Sequence, residues 1–366
     1  MKNPFRPTFG ASPRVWAGRE AVLDEFGRAL DNGPGDPHRS IIVSGSRGIG
    51  KTVLLTELED IARRRGWVVL RASGREGMAE ALTNSVIPEA LQTVNPRPGR
   101  TITGFSVAGI GSVRTEEKDI SLQPRLITRL RELLDSIDTG VLITIDEVQD
   151  SDPDDLSRIA VAYQDLVRDD AEIALAMAGL TRGVNRLLDL PGATFLRRAR
   201  HYELGPLTLD DAIRTLTLTA AESDKPFAPD AAEQAARFTQ GYPYLVQLIG
   251  YLAWDEARGV IGSGEVAGVR REAIERLGTQ VHQPSLRDVP LRQREYLEAM
   301  ALLGGQDVTS SDLAEQLGRP VTGLSDTRAK LIERDLIMPT GWGAVSFAQP
   351  YLEEYIRTHQ RPRRIS

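Results

Sequence analysis

Cysteine is absent from all 366 residues of the chain, so disulfides and thiolate metal sites are excluded. Only four histidines are present, His38, His201, His282 and His359, and their scatter argues against a metal centre built on imidazole. No stretch approaches the roughly 18 uninterrupted apolar residues that a membrane span needs. The opening "MKNPFRPTFG" has no apolar signal core, so the expected location is cytoplasmic, with no membrane partner. Lysine is scarce as well. Lys2, Lys51, Lys118, Lys225 and Lys330 are the only five, and the other 40 of the 45 basic residues are arginine. A lysine in a special local setting is therefore informative. The net charge of −6 argues against wholesale coating of nucleic acid but leaves room for a local basic surface. The length predicts two or three domains.

One lysine has such a setting. Gly45-Ser46-Arg47-Gly48-Ile49-Gly50-Lys51-Thr52 fits G-x-x-x-x-G-K-[ST] at every fixed position. "IIVSG" before it predicts a buried strand, and the helically spaced apolar residues of "TVLLTELEDIARRRG", from Val53 onward, predict a helix stopped at Gly66. Glycines let backbone N–H groups turn inward around an anion, and the helix points its positive end at the same place. Lys51 can then reach the β- and γ-phosphates of a nucleotide, and the Thr52 hydroxyl can ligate Mg²⁺. The expected ligand is a nucleoside triphosphate.

A triphosphate site also needs a carboxylate near the metal, and "VLITIDEVQD" over 141–150 supplies it. Its apolar part predicts a buried strand with Asp146 and Glu147 at the carboxyl end, where ligands of open α/β sheets gather. Asp146 would hold Mg²⁺ through water, and Glu147 would orient and deprotonate the attacking water. Further strands are expected at "WVVLRAS" (67–73) and "EIALAMAGLT" (172–181). No guanine-reading N-K-x-D occurs, which favours ATP over GTP. Thr181 is placed either to help hold the attacking water or as a simple turn residue.

With these residues in view, the chain resembles the AAA+ and STAND-type P-loop ATPases, especially their initiator-like members, from about residue 10 onward. The resemblance implies an α/β core with a parallel sheet of order 5-1-4-3-2, followed by an all-α lid and a winged-helix domain. The corresponding divisions are 1–206, 207–282 and 283–366. "VWAGREAVLDEF" is similar to the family's F-x-G-R-E-x-E-L segment, which implies adenine packing near Trp16, Ala17 and Gly18, with Arg19 and Glu20 opening the first helix. "ELGPL" resembles the last core strand, and Arg197, Arg198 and Arg200 lie where the family often places a finger toward a neighbouring subunit, Arg198 among them. "GYPYLVQLIGYLAW" matches the G-x-P of the lid, which implies adenine-side roles for Gly241, Tyr242 and Pro243. Many members place an arginine there; this chain has Tyr242 and no arginine until Arg258, which points away from a lid-based hydrolysis trigger.

The last stretch predicts a short three-helix unit with helices near 308–318 and 321–337, and a two-stranded wing around Gly341 to Gly343. From Ser285 to the end, 11 basic residues meet 11 acidic ones, so the unit alone should bind duplex DNA weakly. DNA and protein partners both remain open for it. Residues 101–117 predict a glycine-rich hairpin, folded on its own domain or touching a partner. The expected function is an ATP-dependent, slowly hydrolysing switch with ATP, ADP and Mg²⁺ as ligands and a homo-oligomer as a possible assembly. The alternative is a regulatory or DNA-binding module that holds nucleotide without turnover.

Overall fold

The computed structural model describes residues 2–8, 10–94, 125–189 and 196–359. The hairpin expected over 101–117 lies outside them. Five strands form one parallel sheet: β1 (Ser40–Gly45), β2 (Val68–Ser73), β3 (Val141–Asp146), β4 (Ile173–Gly179) and β5 (Arg200–Leu204). Their order is β2-β3-β4-β1-β5, the expected 5-1-4-3-2 read from the other edge. Around them run α1 (Glu20–Asn32), α2 (Lys51–Arg64), α3 (Leu126–Leu134), α4 (Pro153–Arg168) and α5 (Thr181–Asp189). β1, β3 and β4 are apolar along their length because helices cover both faces of the sheet. Successive side chains alternate between the two cores: Ile41 and Val43 enter one, Ile42 the other. A buried carboxylate ties α2 to this sheet. Glu59 accepts from Thr144 Oγ1 (2.8 Å) and pairs with Arg71 and Arg63.

The last strand departs from expectation. It is Arg200–Leu204 and not "ELGPL", because Gly205 and Pro206 follow it and Pro206 has no N–H for a ladder. Arg200 is therefore inside the strand. Four helices come next, α6 (Leu209–Ala221), α7 (Pro229–Thr239), α8 (Pro243–Glu256) and α9 (Ser263–Leu277). Pro243 takes the first position of α8, where its missing N–H costs nothing. Apolar residues of these helices, such as Leu216, Leu245 and Ile249, share one core with Ile41, Val43 and Leu58 of the sheet layer. The N-terminal segment crosses α8: Phe5 lies so close to Gly250 that a Cβ there would come within 2.4 Å of its ring.

A π turn (Gly278–His282) and a short helix (Gln283–Leu286) lead into the C-terminal unit. It contains α10 (Leu291–Leu302), β6 (Val308–Thr309), α11 (Ser310–Leu317), α12 (Ser325–Glu333), β7 (Ile337–Gly341), β8 (Ala344–Phe347) and α13 (Leu352–His359). The antiparallel sheet order is β6-β8-β7, and the unit has its own core around Tyr296, Met300, Leu331 and Val345. α11 is capped by the Thr309 side chain at its start and by Gly318 (φ 60°) at its end. α12 is shorter than the pattern over 321–337 predicts. A 3₁₀ turn occupies Val321–Leu324, and Asp335 turns left-handed (φ 59°) after the helix. Among the described residues no helix is long and apolar enough to cross a membrane.

His282 is buried at this junction, with Nδ1 3.1 Å from Gln349 Oε1 and its ring near Tyr355. Burial pushes its pKa from 6.5 down to about 4. The unfolded chain therefore takes up this proton first, so stability is whole above pH ~6.5 and drains away as pH falls toward the folded value. Acidification from pH 7 to pH 5 should cost about 2 kcal/mol through this one residue. In thermal unfolding, His282→Asn, which keeps a donor toward Gln349, should show a correspondingly smaller loss over that interval.

Candidate functional site

The loop that leaves β1 turns through Gly48 (φ 73°) and Gly50 (φ 96°), and α2 begins at Lys51. Left-handed backbone of this kind costs a side chain strain that glycine avoids. Lys51 is buried, and its Nζ donates to the carbonyls of Gly45 (2.9 Å) and Ser46 (2.8 Å) in its own loop. Burial holds its pKa below the usual lysine value, opposed by the carboxylates of Glu147, Asp335 and Asp146. Three acids thus act on this cation, with the Arg47 guanidinium opposing them.

Because the strands are parallel, β1 and β3 deliver their carboxyl ends to the same edge of the sheet, separated by β4. Asp146 ends β3, its carboxylate hydrogen-bonded by the Thr52 side chain and by the Glu147 N–H (2.9 Å). Burial is the largest influence on Asp146 and pushes its pKa up; the Thr52 bond works the other way. Glu147 adopts left-handed backbone (φ 51°), a conformation uncommon for a residue with a side chain and frequent at functional sites. Gln149 escaped the sequence reading, which weighed only the acids of "DEVQD". Its Nε2 donates to Glu147 Oε2 (2.6 Å), and its Oε1 accepts from the Leu180 N–H (2.9 Å), so it links the acid to the end of β4.

A cavity of about 500 Å³ opens beside these groups. Arg47 through Leu54, Glu147 and Gln149 line one part, and Trp16, Ala17 and Arg19 with the preceding segment line another. Leu207, Thr215, Pro243, Tyr244, Val246 and Gln247 bring in the helical side. Gly45 and Ser46 sit at the back of the loop as carbonyl acceptors for Lys51.

Four sequence-assigned residues stand elsewhere. Thr181 is the first residue of α5, because β4 already ends at Gly179; Leu180 lines the cavity in its place. Tyr242 does not line the cavity. It is buried under the loop, where its hydroxyl donates to the Arg47 carbonyl (3.0 Å). Gly18 (φ 73°) faces α6: a Cβ there would lie 2.7 Å from Asp211 Oδ2, so glycine serves close packing at that position. Arg198 lines a separate cavity with Pro34, Ser40 and Tyr163, at the end of the sheet opposite the phosphate loop. Arg197 Nε donates to the Leu188 carbonyl (2.6 Å), and Arg200 lies over the Tyr202 ring. None of the three arginines reaches the cavity of its own chain.

The contact under the loop is close. A Cβ on Gly48 would fall 1.7 Å from the Tyr242 hydroxyl oxygen. Gly48→Ala is expected to force either the loop or the tyrosine aside and to cost about 2–3 kcal/mol. The melting temperature should drop by several degrees, and a chain that melts unchanged would contradict this placement.

The neighbouring Thr52 hydroxyl and Asp146 carboxylate are hard oxygen donors of the kind Mg²⁺ prefers, with substrate phosphates completing its shell. Among the described residues no group of three His, Cys, Asp or Glu converges into a metal cage. A cation here would thus share its shell between the protein and a ligand.

Residues 15–173 match the family model described as AAA ATPase domain, and residues 279–356 match one described as Domain of unknown function (DUF8462). No curated protein matches the chain in sequence. Among solved structures, the ORC2 protein of Aeropyrum pernix, described in ADPNP–ADP complexes, is 16% identical with a TM-score of 0.66 over 96% of each chain. A Walker-type ATPase of Pyrococcus abyssi is 17% identical with a TM-score of 0.63, over 93% of this chain and 96% of that one. A RuvB protein of Thermotoga maritima is 17% identical with a TM-score of 0.50, over 97% and 99%. At these identities the likeness is one of fold. The phosphate loop and the Asp-Glu strand end lie on one sheet edge, the fold is that of a P-loop NTPase core followed by a helical region, and residues 15–173 are similar to the AAA ATPase domain.

Proposed function

We propose that the protein is an ATP-dependent switch that binds Mg²⁺–ATP between its sheet layer and its helical lid and hydrolyses it slowly. The observation that carries this reading is the meeting of Lys51, Thr52 and Asp146 at one sheet edge, with Glu147 on the wall of the same cavity. In this reading the loop N–H groups and Lys51 hold the phosphates, and Trp16, Ala17 and Pro243 offer an apolar wall to the base. Thr52 and Asp146 would hold Mg²⁺, which neutralises phosphate charge when bound. Glu147 takes the proton of the attacking water, and Gln149 fixes which way that carboxylate points. The division of labour follows residues 1–206, 207–282 and 283–366. Release of phosphate from Mg²⁺–ATP by the purified full chain is the direct test; no release above a buffer blank would defeat the enzyme reading.

A specific observation supports slow turnover. The cationic side chains on the cavity wall are Arg19, Arg47 and Lys51, all from the N-terminal half, and the lid lines it without an arginine. An arginine among Arg197, Arg198 and Arg200 would have to act on a neighbouring copy, and size exclusion with and without Mg²⁺–ATP reads that assembly. The C-terminal unit is proposed to work as a winged helix, with α12 and the β7–β8 hairpin as its contact elements. Its net charge of zero and the exposed Met338 and Trp342 of the hairpin favour a protein partner over a duplex. A gel shift of duplex DNA by the full chain at physiological salt would reverse that preference.

A further inference from the structure

The phosphate loop of this chain already holds an anion. Asp335, in the turn that closes α12, places Oδ2 2.7 Å from the backbone N of Arg47, which donates to it. Its carboxylate also faces Lys51, Arg47 and Arg182. A loop of this type exists to present N–H groups and a lysine to phosphate oxygens. Here a side chain 288 positions away in sequence takes up one of those donors.

The surrounding contacts fit a docked state that can be released. Arg186 donates to Glu333 Oε1 (2.6 Å) at an exposed rim, a pair of modest worth. Behind Asp335 the two units do not meet in a filled apolar seam. A cavity of about 580 Å³ lies there, with Ser46, Ile49 and Tyr242 on one side and Met338, Thr340 and Phe347 on the other. The link to the lid is of another kind: the Tyr351 ring packs at a tilt against Phe238 and its hydroxyl donates to the Phe238 carbonyl (2.6 Å), and His282 contacts Gln349. The C-terminal unit is thus anchored to the lid and only lightly latched to the phosphate loop.

We propose that Asp335 is a built-in competitor of the nucleotide phosphates, so that ATP binding and docking of the C-terminal unit on the phosphate loop exclude one another. This deepens the switch reading and rests on it. A triphosphate brings several negative charges to the donors that Asp335 uses; the Arg47 N–H directed at the carboxylate cannot also be directed at a phosphate, and the like charges repel. ATP therefore releases α12 and the hairpin, and departure of the phosphates lets the latch close. By reciprocity, a partner that holds the released unit raises the affinity for ATP.

The test uses the full chain with Asp335→Gly and Asp335→Asn. Both residues tolerate the left-handed backbone of this position, so neither should disturb folding. Titration calorimetry with Mg²⁺–ATP should show Asp335→Gly binding about five- to tenfold more tightly than wild type, because it no longer spends part of its population docked. Asp335→Asn, which keeps an acceptor but loses the charge, should fall between the two. Because the chain has no cysteine, the pair Asp60→Cys and Asp326→Cys can carry the only two spin labels. ATP should lengthen their separation in the otherwise wild-type chain, and in Asp335→Gly the long distance should be present before ATP is added. Equal affinities, tighter binding by wild type, or a label distance indifferent to ATP would overturn the proposal. Failure of wild type and both variants to bind ATP would bring down the nucleotide reading itself, a different result from equal binding.

Discussion

Lys51→Ala should lose ATP binding by at least about a hundredfold, some 3 kcal/mol, in calorimetric titration with Mg²⁺–ATP. The removed ammonium is the buried cation of the loop, and in the structure its hydrogen bonds are spent on two carbonyls of that loop. A phosphate would replace those neutral acceptors with charged ones, which roughly doubles the strength of each bond. The fold should survive the change. Burial holds the Lys51 pKa below the usual lysine value, so burying this charge works against the native state and offsets the loss of its bonds to the Gly45 and Ser46 carbonyls. Circular dichroism should therefore show an intact protein. Undiminished ATP affinity in such a protein would end the assignment of the loop.

Glu147→Gln should separate binding from turnover. The loss in hydrolysis rate is expected at about 10²- to 10⁴-fold, the usual worth of a general base, with ATP affinity close to wild type. The glutamine fills the same space, and its amide oxygen can still accept from Gln149 Nε2 while Gln149 Oε1 keeps its bond from the Leu180 N–H. What is removed is the negative charge and, with it, the ability to accept a proton. If wild type and variant release phosphate at the same negligible rate while both bind ATP, nucleotide has a structural role and the non-hydrolysing module is the better description. Phosphate release and binding must be read on the same preparations for that distinction to hold.

Most of the candidate site was legible in the sequence because it is written in local chemistry. "GSRGIGKT" combines left-handed turns, an inward lysine and a helix start within eight consecutive residues, and each requirement selects its residue type directly. "VLITID" shows burial on both faces through its unbroken apolar run, and its two acids follow where a parallel strand must end. The strand order came from the resemblance to AAA+ and STAND-type ATPases, and the sheet has that order. Local chemistry was a poorer guide one residue further on. Thr181 reads as a strand-end hydroxyl, yet β4 stops at Gly179 and a helix has begun by Thr181. "ELGPL" reads as a strand, yet its glycine and proline end the ladder that "RHYEL" forms. Boundaries depend on where a neighbour stops pairing, and that neighbour is distant in sequence.

The sequence by itself determined that a strand, an anion-binding turn and a helix follow one another, and that an acid pair closes a second strand. These depend on backbone conformation and hydropathy within a few residues of each other. Only the tertiary structure decided that Tyr242 lies beneath the loop and not against a base, that Gln149 holds Glu147, and that Asp335 sits on the N–H of Arg47. A carboxylate in a polar turn looks the same whether it faces water or a phosphate loop 288 positions away. Packing of the lid and the C-terminal unit sets which of the two it meets, and no spacing in the chain encodes that distance.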